Sequence, residues 1–208
     1  MNTQTSPRMT RAPLLPPLLF AIALATSAFV WWTVALPVLS GKFGPHATHA
    51  APVYVHAVGG TLMLLAGSAA LFIGWTRRAF RFHKWIGYIY LTSGAVASAA
   101  AIGLNLSKVH SDVSIALATS TLAVVWLAVA AMAWRAIRNR RVDTHREWMI
   151  RSYVLTWTFV LCRMAQRPEL MLVAEDAAAD VIWITWVVPL FVCEFVLQWH
   201  RGNRAGNE

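Results

Sequence analysis

The chain has 208 residues, 58% of them hydrophobic and only 13% charged, with a mean hydropathy of +0.53 and a formal net charge of +9. Soluble domains carry about a quarter charged residues, so this composition excludes an ordinary water-soluble globule and points to a chain solvated by lipid. The positive charge falls in clusters between apolar runs, which makes it a membrane-orientation signal and excludes nucleic acid as an expected partner.

A hydrocarbon core about 30 Å thick takes roughly 20 apolar residues per helix. Six runs qualify, at about 14–36, 53–75, 85–104, 113–134, 148–165 and 181–199. Lipid offers the backbone no hydrogen-bonding partner, so continuous runs of this length predict helices. The expected fold class is all-α: a polytopic membrane bundle of six transmembrane helices, forming one domain over 1–208 with tails at 1–13 and 200–208. Arg8 and Arg11 followed by an apolar run with Ala23-Leu24-Ala25 imitate a signal peptide. That run continues to Leu39, beyond the length of a signal's apolar region, and reads as an uncleaved first span. Pro16 and Pro17 open this run, and Pro189 interrupts the last one. Trp31, Trp32, Trp75, Trp85, Trp134, Trp148, Trp183 and Trp199 stand near run ends, where an interfacial belt is expected.

The N-tail, the turn from Arg77 to Lys84, the loop from Arg135 to Arg146 and the C-tail hold 13 of the 18 Lys and Arg residues. The alternate loops hold Lys42, Lys108 and Arg167. This alternation predicts that both termini are cytoplasmic. The last outer loop carries Glu169, Glu175, Asp176 and Asp180, a solvated segment or a docking surface. Cys162 and Cys193 fall at different depths and have no metal-site spacing, so they read as small apolar core residues.

Four histidines mark the ends of runs. His56 and His110 stand at the outer starts of the second and fourth runs, His83 and His145 at the inner starts of the third and fifth. This predicts one two-histidine site per leaflet. At offsets of 4, 11 and 18, His56 is followed by Gly60, Gly67 and Gly74, and His83 by Gly87, Gly94 and Ala101. Those offsets return to one helix face. Such a stripe gives a flat macrocycle clearance, and imidazole is a common axial ligand of haem iron. It also lets transmembrane helices pack closely with no cofactor. The face below His145 carries Met149, Ser152, Thr156 and Arg163, and Arg163 is placed to meet haem propionates or another anion. His46 and His49 with His56 make a copper or zinc set, or simply part of a loop. Glu194 and Arg151 stand at similar depth on the last two runs; an ion pair between them is the simplest account, with a proton site as the alternative.

The segment from Ala123 to Arg163, with His145-Arg146-x-Trp148-Met149-x-Arg151-Ser152-Tyr153 at its centre, closely resembles a family of bacterial membrane proteins called domain of unknown function 2306. HKWIGYIY from His83 to Tyr90 and the His56-Ala57-x-x-Gly60 element also fit, so the likeness covers about Tyr54 to Glu194. A looser resemblance is to the two-haem, ascorbate-reducible transmembrane cytochromes b, through His83-Lys84-Trp85-Ile86-Gly87 and the helix positions of the histidines. That resemblance implies haem b ligated by His56, His83, His110 and His145. In this chain the first three histidines are 27 residues apart, closer than in those cytochromes. At 1.5 Å per residue this separates two such haems by roughly 25–30 Å, a poor spacing for fast electron transfer. A single inner haem on His83 and His145 fits best.

Two functions follow as expectations. One is a b-type haem protein moving electrons in or across the membrane, with the lipid bilayer and an electron donor and acceptor as partners. The other is a cofactor-free small transporter or assembly subunit. A homo-oligomer is open under either. No nucleophile elbow, HExxH or paired-acid motif is present to suggest a hydrolase.

Overall fold

The computed structural model describes residues 21–41 (apart from 23, 27 and 30), 50–108, 112–165 and 177–205. Within these the chain is helical, without strands. After a short stretch at Trp31–Ala35 and Leu36–Leu39 come five long helices: α1 (Ala50–Thr76), α2 (His83–Lys108), α3 (Val113–Arg138), α4 (Val142–Ala165) and α5 (Ala178–Ala205). By length and composition, four stretches among the described residues suit a membrane crossing, on α1, α2, α3 and α5. The first predicted run lies partly outside the described residues, and α4 falls short on apolarity because it carries Asp143, Arg146, Glu147, Arg151 and Arg163. Its position explains how it tolerates them. α4 packs against α1, α3 and α5, and Arg151, Ser152, Thr156 and Thr158 are buried among those neighbours. Polar groups on a membrane helix face the bundle, not the lipid.

Paired contacts set the topology. His56 meets Ala97, and a Cβ at Gly74 would meet His83, so α1 and α2 run antiparallel. Asn105 meets Thr119 and Tyr88 meets Trp134, which makes α2 and α3 antiparallel. Ala133 with His145, and Thr158 with Thr185, continue the pattern through α4 and α5. The two short turns, 77–82 and 139–141, therefore share one end, here called the basic end. Left-handed backbone makes both turns tight: Arg77 and Ala79 in the first, Arg140 in the second, at φ of 58°, 53° and 58°. At the end of α3, Arg140 and Arg141 donate their N–H groups to Ile137 and Ala136, each at 3.0 Å, closing the last carbonyls in a Schellman arrangement that usually takes glycine. Asp112 starts α3 by accepting the N–H of Ile115 at 3.0 Å.

The exterior is apolar. Phe191 is 74% exposed, and Ile184, Val188, Val192 and Phe195 share its outward position on α5. A contiguous apolar surface of this kind is stable only against lipid or another protein.

Candidate functional site

His83 and His145 stand in the first turns of α2 and α4, both at the basic end. The Nδ1 of His145 is 2.9 Å from the Ala133 carbonyl. In the tautomer that donates to this carbonyl, Nε2 keeps its lone pair free. His83 stacks on Phe80, with centroids 5.1 Å apart and planes 9° from parallel. A Cβ at Gly74 would stand 3.2 Å from its Cε1, so the missing side chain there lets the ring sit against α1. The Ala70 carbonyl acts on this imidazole, but Nδ1 is buried without meeting hydrogen-bond geometry to any partner.

At the opposite end, His56 is 3.0 Å from the Ala97 carbonyl through Nδ1 and stands edge-on to Phe159 at 5.7 Å. Arg163 lies one turn along α4 from Phe159, which puts it at the same end of the bundle. His110, its expected partner, lies outside the described residues, as do His46 and His49. Among the described residues no group of three or more His, Cys, Asp or Glu side chains is arranged to hold a metal ion. Arg163 is eighteen residues along α4 from His145, about 27 Å by helical rise, and so belongs with His56 rather than with the basic-end pair.

The glycine stripe of α1 is filled by the chain's own rings. A Cβ at Gly60 would touch Phe159 at 3.6 Å, and one at Gly67 would press on Tyr90 and Tyr153 at 2.7 and 2.8 Å. On α2, a Cβ at Gly94 would collide with the Trp126 ring, whereas nothing lies within 4 Å of one at Gly87. The expected clearance for a macrocycle is thus absent along the middle of the bundle. Small residues there serve aromatic packing. At the basic end, where nothing lies within 4 Å of a Cβ at Gly87, His83 and His145 are the residues that would hold a haem.

Sequence reasoning passed over the buried hydroxyl cluster that these rings form. The Tyr90 hydroxyl donates to Ser152 Oγ and meets Thr156 Oγ1, both at 3.0 Å, and Trp126 Nε1 donates to Thr156 Oγ1 at 3.2 Å. Ser68 Oγ and the Tyr153 hydroxyl share a bond of 2.5 Å. Four helices are joined through these groups. The signal was hydroxyl-bearing residues inside otherwise apolar runs, which need internal partners in lipid.

A charge network clamps α4 to α5 near the basic end. Arg151 donates through Nε to Glu194 Oε1 and through Nη2 to Oε2, the second bond at 3.0 Å, and its Nη1 stands 3.9 Å from Glu147. Arg201 donates to both Glu147 oxygens, one at 2.9 Å. The Trp148 ring covers the Arg151 guanidinium at 4.7 Å. Cys162 and Cys193 are both free thiols, and Cys162 Sγ lies 2.9 Å from Thr185 Oγ1.

Polar and charged side chains held inside an apolar-surfaced helical bundle define a multi-pass membrane protein. The family model described as "Predicted membrane protein (DUF2306)" matches residues 53–197, and the chain belongs to that family. The matched segment takes in all four run-end histidines together with Arg151, Arg163 and Glu194. No curated protein and no solved structure matches the chain.

Proposed function

We propose that the protein works in a bacterial inner membrane, both termini cytoplasmic, and holds one haem b between His83 and His145 for electron transfer. The observation that carries this reading is the placement of two imidazoles, from α2 and α4, at the same basic end of the bundle. The His145 ring is held through Nδ1 at the Ala133 carbonyl, which leaves Nε2 for a ligand, and the His83 ring is held flat against Phe80. When bound, haem supplies one-electron chemistry, with its potential set by the axial ligands and by burial. The chain's own residues prepare the place. The Ala133 carbonyl fixes the His145 ring and makes its free nitrogen more basic. Phe80 holds the plane of His83. His56 stands at the opposite end, against Phe159 and the Ala97 carbonyl, and is no part of this centre.

The test is an absorption spectrum of the protein purified in mild detergent after haem supplementation, before and after dithionite. Sharp reduced bands that survive His56→Ala and vanish in His145→Ala support the reading. A second reading, a cofactor-free transporter or assembly subunit, is favoured by the ring-filled middle of the bundle. Absence of the bands in the folded wild type leaves that one.

A further inference from the structure

The turn between α1 and α2 carries Arg77, Arg78, Arg81 and Lys84, all exposed. Among the described residues none of the four forms an ion pair, unlike Arg146, Arg151 and Arg201, which meet Asp143, Glu147 or Glu194. Three of these cations are placed over aromatic rings. Arg77 stands 4.8 Å from the Phe80 centroid, Arg81 stands 4.6 Å from Phe82, and Lys84 is 5.8 Å from Tyr88. Phe80, Phe82 and Trp85, in the same turn and the start of α2, are 46%, 45% and 66% exposed. A row of half-exposed rings marks the depth of the membrane interface, and cations ordered over them stand at headgroup height with part of their freedom already lost.

We infer that this turn is a binding site for the phosphate of an anionic phospholipid headgroup, clamped by Arg77, Arg81 and Lys84. The lipid is favoured over a soluble acidic partner because the rings that order the cations would lie in the bilayer's interfacial layer. The other basic segment supplies a contrast: Arg135 and Arg138 at the end of α3 and Arg141 in the turn are also exposed, but none has a ring contact among the described residues. The site does not depend on haem. It does adjoin the candidate centre, since Phe80 carries Arg77 on one contact and His83 on the other.

The experiment titrates the purified full chain in mild detergent with phosphatidylglycerol or phosphatidylcholine and counts retained lipid by native mass spectrometry. Phosphatidylglycerol is expected to bind tightly and phosphatidylcholine weakly. Arg77→Gln, Arg81→Gln and Lys84→Gln together should weaken the phosphatidylglycerol complex on the order of a hundredfold, a factor of about five per charge. The matching Arg135, Arg138 and Arg141 glutamine variant should retain it. If the first triple variant does not fold, as judged by helical circular dichroism, Arg81→Gln and Lys84→Gln alone should each lose about fivefold. Equal binding of the two lipids, or equal loss from either triple variant, overturns the site. Full displacement of the lipid by millimolar inorganic phosphate, or by an acidic peptide, overturns the lipid assignment.

Discussion

Gly67→Ala places a methyl group 2.7 Å from Tyr90 Cε2 and 2.8 Å from Tyr153 Cδ2 and Cε2, where carbon contacts are ordinarily about 3.5–4.0 Å. Neither ring has an easy retreat. Tyr90 is fully buried and tied to Ser152 and Thr156, and Tyr153 is tied to Ser68. Overpacking of this kind costs about 1–3 kcal/mol. Each side-chain bond loosened as Tyr90 shifts adds roughly 0.6 kcal/mol, the average for hydrogen bonds between membrane helices. For a chain of this size 1–3 kcal/mol lowers the unfolding temperature by roughly 2–12 °C. Gly87→Ala is the control, since its Cβ would meet nothing within 4 Å. Thermal unfolding in mild detergent, followed by tryptophan fluorescence, gives both numbers. Unfolding of Gly67→Ala at the wild-type temperature, or an equal loss in Gly87→Ala, refutes the reasoning.

Arg151→Gln and Glu194→Gln should each destabilise the bundle, and the double variant should lose less than their sum by about 0.5–3 kcal/mol. Strict additivity in the same unfolding assay would show that the α4–α5 pair contributes no coupling. His56→Ala removes the bond to the Ala97 carbonyl that ties α1 to α2. It should cost at least the roughly 0.6–1.7 kcal/mol of a transmembrane hydrogen bond while leaving haem content unchanged; loss of haem in this variant would place the centre at the other end.

The long helices were legible because lipid contact selects continuous apolar runs. Their ends were less so. The run 148–165 is observed as Val142–Ala165 and 181–199 as Ala178–Ala205, since hydrogen bonding carries a helix on through polar interfacial residues that hydropathy reads as loop. The Arg151–Glu194 contact could be read from opposite charges at matching depth on adjacent spans. The hydroxyl cluster could not: Tyr90 and Ser152 are 62 positions apart, and spacing within one helix does not say which neighbour it faces. For the same reason the glycines of α1 read equally as room for a macrocycle or as seats for rings. The structure puts Phe159, Tyr90, Tyr153 and His83 on them.

The most direct measurement is haem per chain, taken by haem extraction and protein quantitation on wild type, His83→Ala, His145→Ala and His56→Ala purified after haem supplementation. The account predicts one haem in wild type and in His56→Ala, and none in the other two. No haem in a folded wild type, or haem retained without His83 and His145, contradicts it.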